Sequence, residues 1–190
     1  MIKNIIFDIG GILFDDSLEN INKVLDKDST NIYKKAYGGN FKKCLLGQMN
    51  VSKHIESFKD DKDYNDIAYI LKKENLDISY PLIEKNLEYI KEIRGEGYNL
   101  FLLSNITEDS YFYIKNKIDI DGMFDGGVYS YQENLVKPDV KIYELIIEKY
   151  NLKKEETLFF DDKEKNVIAA NTTGIKGIVF KSIDDIKKNI

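Results

Sequence analysis

Short apolar runs that stop abruptly at polar side chains recur along this chain, and they constrain its fold more than any other feature. Three runs carry the pattern most clearly: Ile5-Ile6-Phe7 before Asp8, residues 98–103 before Ser104, and residues 157–160 before Asp161 and Asp162. Short continuous apolar runs are typical of strands that are covered on both faces, as in the centre of a parallel sheet. Segments with helical spacing lie between them. This alternation predicts a doubly wound parallel α/β sheet with right-handed crossovers.

Turn and capping residues predict where other elements begin and end. Ser79 and Pro81 have the cap and first-turn spacing of a helix that continues to Gly95. Ser182, with Asp185 three residues later, predicts a capping box at the start of the last helix. Further elements are expected at these places: strands at 127–129 and 177–180, and helices from about Asp109, from Pro138 to Tyr150 and directly after Asp162.

The stretch between the first and second predicted strands has a different texture. Charged residues alternate with apolar residues at helical spacing from about Ser17 to Lys73, and no strand-like run interrupts them. We therefore expect several short helices, inserted into the α/β core as a small cap over the edge of the sheet. The predicted organisation is a core of residues 1–16 and 79–190 and a helical cap of residues 17–78.

Composition excludes several classes of function. The 190 residues include one cysteine, Cys44, and one histidine, His54. An internal disulfide, a cysteine-cluster zinc site and a paired-histidine metal site are therefore excluded. The net charge of −5 disfavours nucleic acid as the main partner, because surfaces that bind nucleic acid are basic. No apolar run approaches the ~20 residues that cross a bilayer, so no membrane partner is expected, and the expected location is the cytoplasm.

The polar residues that follow the strands suit phosphoryl transfer. Ligands of open parallel sheets bind beyond the carboxyl ends of the strands, where Asp8, Ser104 and the Asp161-Asp162 pair should converge. A carboxylate can attack phosphorus to form an aspartyl-phosphate, and a Mg²⁺ ion held by acidic residues would offset the charge of the phosphate. Lys137, in a loop before a helix, can add a fixed positive charge, and a serine hydroxyl can donate to the phosphoryl oxygens.

Four segments resemble, in order, the four motifs of the haloacid dehalogenase superfamily. They are Phe7-Asp8-Ile9-Gly10-Gly11-Ile12-Leu13-Phe14-Asp15, then Leu102-Leu103-Ser104-Asn105, then Val136-Lys137-Pro138-Asp139, and finally Phe159-Phe160-Asp161-Asp162-Lys163-Glu164-Lys165-Asn166. Together they span nearly the whole chain. The resemblance implies that family's α/β core with a small helical cap, and it implies a hydrolase similar to the phosphatase branches, including the sugar-phosphatase-like members that begin Asp-x-Gly.

The resemblance also implies roles for individual residues. Asp8 corresponds to the nucleophile and Lys137 to the lysine that neutralises charge. Ser104 corresponds to the phosphate-binding hydroxyl, with Asn105 beside it. The expected function is therefore a Mg²⁺-dependent phosphatase of a small phosphorylated metabolite, such as a sugar phosphate.

The metal ligands implied by the resemblance are Asp8, the backbone carbonyl of Gly10 and Asp162. Asp162 is preferred over Asp161 because Asn166, four residues after Asp162, falls where the family often has a second acid. Asp161 and Asn166 remain further candidate ligands.

One position departs from the usual pattern. Most phosphatases of the superfamily have a second aspartate two residues after the nucleophile as general acid and base, whereas this chain has Gly10. General acid–base catalysis is typically worth about 10²–10⁴-fold in rate. The sequence leaves open a substrate with a good leaving group, a proton donor from water or the cap, or a binding protein with little or no turnover. A dehalogenase also needs no such acid, but the Asp161-Asp162 pair favours a metal and hence phosphate.

Three other residues are expected to have structural roles. Asp15 and Asp16 should stabilise the turn into the cap, and His54 should be a surface or packing residue. No sequence pattern indicates an oligomeric state.

Overall fold

The computed structural model describes all 190 residues and contains one parallel sheet. Its five strands are β1 (Asn4–Phe7), β2 (Asn99–Ser104), β3 (Gly126–Tyr129), β4 (Thr157–Asp161) and β5 (Lys176–Val179). Their order across the sheet is β3-β2-β1-β4-β5, so β1 lies in the centre. All four pairings are parallel. The doubly wound α/β fold is therefore confirmed, as are the two short strands predicted near residues 127–129 and 177–180.

Helices connect all the strands. Seven lie between β1 and β2: α1 (Leu18–Leu25), α2 (Thr30–Ala36), α3 (Phe41–Leu45), α4 (Val51–Glu56), α5 (Tyr64–Leu71), α6 (Leu76–Ser79) and α7 (Glu84–Gly95). The others are α8 (Glu108–Lys117), α9 (Ile120–Met123), α10 (Ser130–Glu133), α11 (Val140–Lys149), α12 (Glu164–Thr172) and α13 (Ile183–Lys187), with 3₁₀ turns at Lys73–Asn75 and Lys154–Glu156. None of these helices combines the length and apolar character that a membrane-spanning segment requires.

The register of the sheet brings the ends of its three central strands close together. Phe7, the last residue of β1, pairs with Leu102 of β2 and with Phe160 of β4. Asp8, which follows Phe7, therefore lies at the carboxyl end of the sheet, close to the ends of β2 and β4. The strand order reverses beside β1, and open α/β sheets bind ligands at such a switch point.

Alternate residues of the strands bury both faces of the sheet. Phe7 and Phe160 belong to a cluster of 22 buried residues, whereas Ile6 and Phe159 belong to a cluster of 11. The two-residue period of a strand puts neighbouring side chains on opposite faces. Burying one such side chain contributes roughly 1.5–3 kcal/mol, so β1 is held from both sides and the residue that follows it has a fixed position.

Residues 17–78, the helical block, have a hydrophobic core of their own. Eleven buried side chains pack together there, among them Ile21 and Ile67. His54 is also buried in the block, where its Nε2 lies 2.9 Å from the carbonyl oxygen of Ala36. The helices predicted for this stretch are present, and its assignment as a cap domain stays a prediction.

The segment after the helical block differs from the prediction that Ser79 and Pro81 open a helix. Ser79 instead ends α6, and α7 begins at Glu84. The intervening residues pair with the loop after β1, where the Asp15 N–H donates to the Pro81 carbonyl at 2.9 Å. The prediction was wrong because this long-range pairing outweighs the local preference of serine and proline for a helix start.

Other predicted boundaries are confirmed within one or two residues. The helices expected from about Asp109 and from Pro138 are α8 and α11. Ser182 caps α13, and the Asp185 side chain completes the capping box.

Candidate active site

Asp8 lies beyond the end of β1 and is held by groups from its own loop and from β2. Its N–H donates to the Phe160 carbonyl at 2.9 Å, which extends the pairing of β1 with β4. Its Oδ1 accepts hydrogen bonds from the Ile9 N–H at 2.7 Å and the Ser104 hydroxyl at 2.8 Å. These bonds fix the orientation of a carboxylate in a residue that is only 4% exposed.

Lys137 places its ammonium group between two carboxylates in the interior. Its Nζ is 2.9 Å from Asp8 Oδ2, and it donates to Asp161 Oδ2 at 2.6 Å and to the Leu103 carbonyl at 2.8 Å. The three N–H bonds of the ammonium group thus have three acceptors. The Asn105 amide bonds both to the N–H of Lys137 at 2.7 Å and to its carbonyl at 2.9 Å. Asn105 therefore fixes the backbone that carries the lysine.

The two acids at the end of β4 have different surroundings. Asp161 is fully buried and accepts hydrogen bonds from Lys137, from the Lys163 N–H at 2.8 Å and from Asn166 Nδ2 at 3.0 Å. Asp162 is partly buried, and its Oδ1 is a buried atom without a hydrogen-bond partner. Lys163 Nζ is 3.9 Å from that oxygen, beyond hydrogen-bond distance. Asp161 is therefore committed to protein partners, whereas Asp162 offers an unpaired oxygen.

Burial and neighbouring charges shift the pKa values of these acids in different directions. Burial raises the pKa of Asp8 from 3.8 to about 7; Lys137 opposes this shift and Asp161 adds to it. Burial also raises the pKa of Asp162. Burial would raise the pKa of Asp161 too, but the charge and hydrogen bond of Lys137 outweigh it and hold that pKa below its ordinary value. Asp8 is thus the more basic carboxylate and Asp161 the more firmly ionised one.

Three carboxylates form a cluster that fits a small, hard cation. One oxygen each from Asp8, Asp161 and Asp162 lies within 4.8 Å of the others. Mg²⁺ takes oxygen ligands in proteins and usually keeps several waters. The unpaired Asp162 Oδ1 is a buried acceptor with no competing donor, and Gly10, whose carbonyl is a predicted ligand, lines the adjoining cavity. The donor set therefore fits Mg²⁺.

A cavity of about 400 Å³ opens between the end of the sheet and the helical block. Its polar side includes Asp8, Gly10, Asp16, Asn105 and Lys163. Its other side is largely apolar and aromatic, with Tyr33, Tyr37, Phe41, Leu45, Ile70 and Leu71 from the helical block. Asp8 of the acid cluster therefore faces a partly open space that can hold an organic molecule of modest size.

Comparison with known proteins identifies the family of this chain. The sequence profile of the haloacid dehalogenase-like hydrolases matches residues 5–180. The chain belongs to this family.

Its relatives include enzymes named as phosphatases. The phosphorylated carbohydrates phosphatase of Thermotoga maritima is 26% identical, over 96% of this chain and 88% of that protein. The sesquiterpene phosphatase of Aspergillus oryzae is 32% identical over 89 residues, which are 47% of this chain and 45% of that protein. The magnesium complex of a haloacid dehalogenase family enzyme from Bacteroides thetaiotaomicron has the same fold, with a TM-score of 0.75 at 21% identity over 95% of this chain and 93% of that one.

The polar residues that the sequence analysis singles out in this haloacid dehalogenase-like hydrolase lie close together. They form one connected group: Asp8, Ser104, Lys137, Asp161 and Asp162. Asn105 joins this group through the backbone of Lys137, and Asn166 joins it through Asp161. The individual roles of these residues stay predictions.

Sequence analysis assigns no site role to Asp16 or Lys163, and both line the cavity of this hydrolase. Asp15 and Asp16 were both expected to stabilise the turn into the helical block. Asp15 does so, because its Oδ1 accepts the Ser17 N–H at 2.9 Å, whereas Asp16 lines the cavity. Lys163 directly follows the acid pair in the fourth motif, and this position is the one signal that could have identified it. Burial would lower the pKa of Lys163, but Asp16 and Asp8 outweigh that effect and raise it.

Proposed function

We propose that this hydrolase is a Mg²⁺-dependent phosphatase that acts on small phosphate monoesters through an aspartyl-phosphate on Asp8. The observation that carries the proposal is one buried carboxylate in contact with both a hydroxyl and an ammonium group. Asp8 Oδ1 bonds to Ser104, and Asp8 Oδ2 pairs with Lys137. Phosphoryl transfer depends mainly on such positioning and charge stabilisation. Two relatives that are named as phosphatases support the reaction class.

The reaction has two displacement steps at phosphorus. In the first, Asp8 attacks the phosphorus and the bond to the ester oxygen breaks, while Ser104 and Lys137 donate to the phosphoryl oxygens. In the second, water attacks the aspartyl-phosphate and the bond between Asp8 and phosphorus breaks, which releases inorganic phosphate. Asp161 holds the ammonium group of Lys137 in place during both steps, since their contact is only 2.6 Å long. Splitting one displacement into two lowers each barrier.

Asp8, Asp162 and the Gly10 carbonyl would hold the Mg²⁺ ion, with Asp161 and Asn166 beside them. When bound, Mg²⁺ offsets the negative charges of the phosphate and the nucleophile, so that two anions can approach each other. The unpaired Asp162 Oδ1 supports Asp162 as a direct ligand. Asp161 is already bonded to three protein donors, which favours a role in positioning Lys137.

We further propose that the helical block is a cap that encloses the organic part of the substrate. Tyr33, Tyr37 and Phe41 offer aromatic faces, which pack on hydrocarbon as well as on the apolar face of a sugar ring. Ile70 and Leu71 add purely apolar surface. This wall favours an ester with an apolar or aromatic organic group over a fully hydroxylated sugar phosphate.

A panel of phosphate esters tests the proposal. The panel contains sugar phosphates, a prenyl phosphate and an aryl phosphate, each assayed for phosphate release with Mg²⁺ and with EDTA. We expect Mg²⁺-dependent release from at least one ester and none from Asp8→Asn. Asp66→Asn is the matched control, because Asp66 pairs with Lys27 in the helical block and does not line the cavity.

Three results would contradict the proposal. Phosphate release that survives Asp8→Asn or EDTA would exclude the mechanism. The absence of release from every ester, with Mg²⁺ still bound, would favour a binding protein, which is the alternative that Gly10 leaves open. Halide release from a haloacid would indicate a dehalogenase.

A further inference from the structure

Gly10 stands where most phosphatases of this family have their general acid. The space that a side chain at residue 10 would take is filled by another residue. A Cβ atom placed on Gly10 would lie 2.7 Å from Asp16 Oδ2 and 3.1 Å from Asp16 Cγ. Both distances are shorter than an ordinary van der Waals contact. The carboxylate of Asp16 therefore occupies the position from which a side chain at residue 10 would begin.

The backbone of Gly10 does not itself require glycine. Its φ is not positive, in contrast to the φ of 72° at the neighbouring Gly11. A side chain at residue 10 would therefore meet the Asp16 carboxylate rather than backbone strain, and Asp16 would have to move to admit it. A glycine at 10 and an acid at 16 thus complement each other.

The Asp16 side chain, unlike that of Asp15, does not stabilise the turn before α1. Asp15 Oδ1 accepts the Ser17 N–H at the start of α1. The Asp16 carboxylate has one partner, Lys163 Nζ at 3.3 Å, and its side chain is 29% exposed. Its backbone is anchored, because the Tyr33 hydroxyl donates to the Asp16 carbonyl at 2.9 Å. Asp16 is therefore a fixed but accessible acid in the cavity that Asp8 also lines.

We propose that Asp16 is the proton donor and acceptor of this phosphatase, supplied from the end of the loop in place of a side chain at residue 10. The inference rests on the proposed function. In the first step, the bond between phosphorus and the ester oxygen breaks as Asp8 attacks, and the leaving oxygen takes a proton from the Asp16 carboxyl group. In the second step, Asp16 takes a proton from the water that attacks the aspartyl-phosphate. One ester and one water thus give one alcohol and one phosphate, and Asp16 ends as it began.

Lys163 is the ion-pair partner of Asp16. It lines the same cavity and pairs with Asp16 in the absence of substrate. A phosphate group in the cavity competes for the ammonium group. The Asp16 carboxylate, once released, takes up a proton from solvent and then gives it to the leaving ester oxygen in the first step. Lys163 thus holds Asp16 in the substrate-free protein and releases it when a phosphate group binds.

The dependence on leaving group tests the proposal. We expect Asp16→Asn to lower kcat/KM for phenyl phosphate by about 10²–10⁴-fold, the usual worth of general acid catalysis. For 4-nitrophenyl phosphate, whose leaving anion needs no proton, kcat/KM should stay nearly unchanged. Because the second step loses its base, aspartyl-phosphate should accumulate and be trapped by acid quench. Asp66→Asn is the control, since it also removes one carboxylate from a partly exposed lysine pair and should alter neither ester.

Moving the acid provides a second test. Asp16→Gly opens the space beside Gly10, so adding Gly10→Asp to it should restore at least part of the lost activity on phenyl phosphate. Equal losses on both esters, or no loss on either, would overturn the proposal and leave the phosphatase assignment intact. No hydrolysis of any ester of the panel by the unaltered protein would overturn the proposed function, and this inference with it.

Discussion

Replacement of the buried Asp8 by asparagine should stabilise the metal-free protein at alkaline pH while it abolishes turnover. Burial raises the pKa of Asp8 from 3.8 to about 7. At about 1.4 kcal/mol per pKa unit, an ionised Asp8 costs the folded state up to about 4 kcal/mol. Asparagine removes the charge but turns an N–H toward the ammonium group of Lys137, and one poorly paired polar contact costs about 1–3 kcal/mol. The expected net gain is therefore about 1–3 kcal/mol above pH 7.

The pH dependence distinguishes this explanation from a general improvement in packing. Between about pH 4 and pH 7 the folded protein keeps a proton on Asp8 that the unfolded chain has released. The contribution of Asp8 to stability is therefore fully present below pH 4 and is lost as pH rises through 7. The gap between Asp8→Asn and the unaltered protein should be largest above pH 7 and should shrink as pH falls toward 4. Urea unfolding in EDTA at pH 4.5, 6 and 8.5 measures this gap.

Asp161→Asn is the matched comparison, because the same chemical change should have the opposite sign. Lys137 holds the pKa of Asp161 below its ordinary value despite burial, so the charge of Asp161 stabilises the folded state at neutral pH. Removing one partner of a buried ion pair costs up to about 3–5 kcal/mol. If Asp8→Asn is less stable than the unaltered protein at pH 8.5, or if its gap does not change with pH, the electrostatic reasoning is refuted.

Three further predictions concern the metal, the substrate and the fold. Mg²⁺ should raise the Tm of the unaltered protein in a thermal scan, because a ligand at 100 times its Kd adds about 2.7 kcal/mol to the free energy of unfolding. Asp162→Asn should remove most of this rise in Tm. A prenyl or aryl phosphate should have a higher kcat/KM than a sugar phosphate. Phe41→Ser should reduce the ratio of these two kcat/KM values. Asp125→Ala should lower the free energy of unfolding by about 1–2 kcal/mol, measured in urea, because Asp125 accepts hydrogen bonds from Arg94 and from the Leu100 N–H.

The sequence is sufficient to predict the sheet and the meeting of its polar residues. Each central strand is a short apolar run, and a polar residue after such a run must lie at the carboxyl end of a parallel sheet. Asp8 and Ser104 come together for this reason alone, since the register of β1 and β2 leaves them little freedom. The start of α7 could not be predicted in this way, because it depends on pairing between Pro81 and a loop about 66 residues earlier.

The relation between Gly10 and Asp16 could not be predicted from the sequence for a different reason. A missing side chain is visible in the sequence, but what fills its space depends on the path of the loop that follows. Here the loop returns so that the two residues touch. Asp15 and Asp16 are adjacent and chemically identical, and only the structure shows that one caps a turn while the other lines the cavity. Comparison of motifs therefore shows only that the general acid is missing at residue 10, whereas the geometry indicates that Asp16 takes its place.

The hydrogen-bond partners of the three clustered carboxylates explain why we assign the nucleophile to Asp8 and not to its neighbours. Asp161 is bonded to three donors and has a lowered pKa, which makes it a weak base and a poor attacking group. Asp162 keeps a buried oxygen unpaired, which suits a cation better than a phosphorus atom. Asp8 combines a raised pKa with a fixed orientation and a lysine that favours its charged form. A carboxylate is the better nucleophile when it is basic yet still ionised near neutral pH. Burial makes Asp8 more basic, and Lys137 favours its ionised form. The ionised, buried Asp8 lowers the free energy of unfolding, and Asp8→Asn measures by how much.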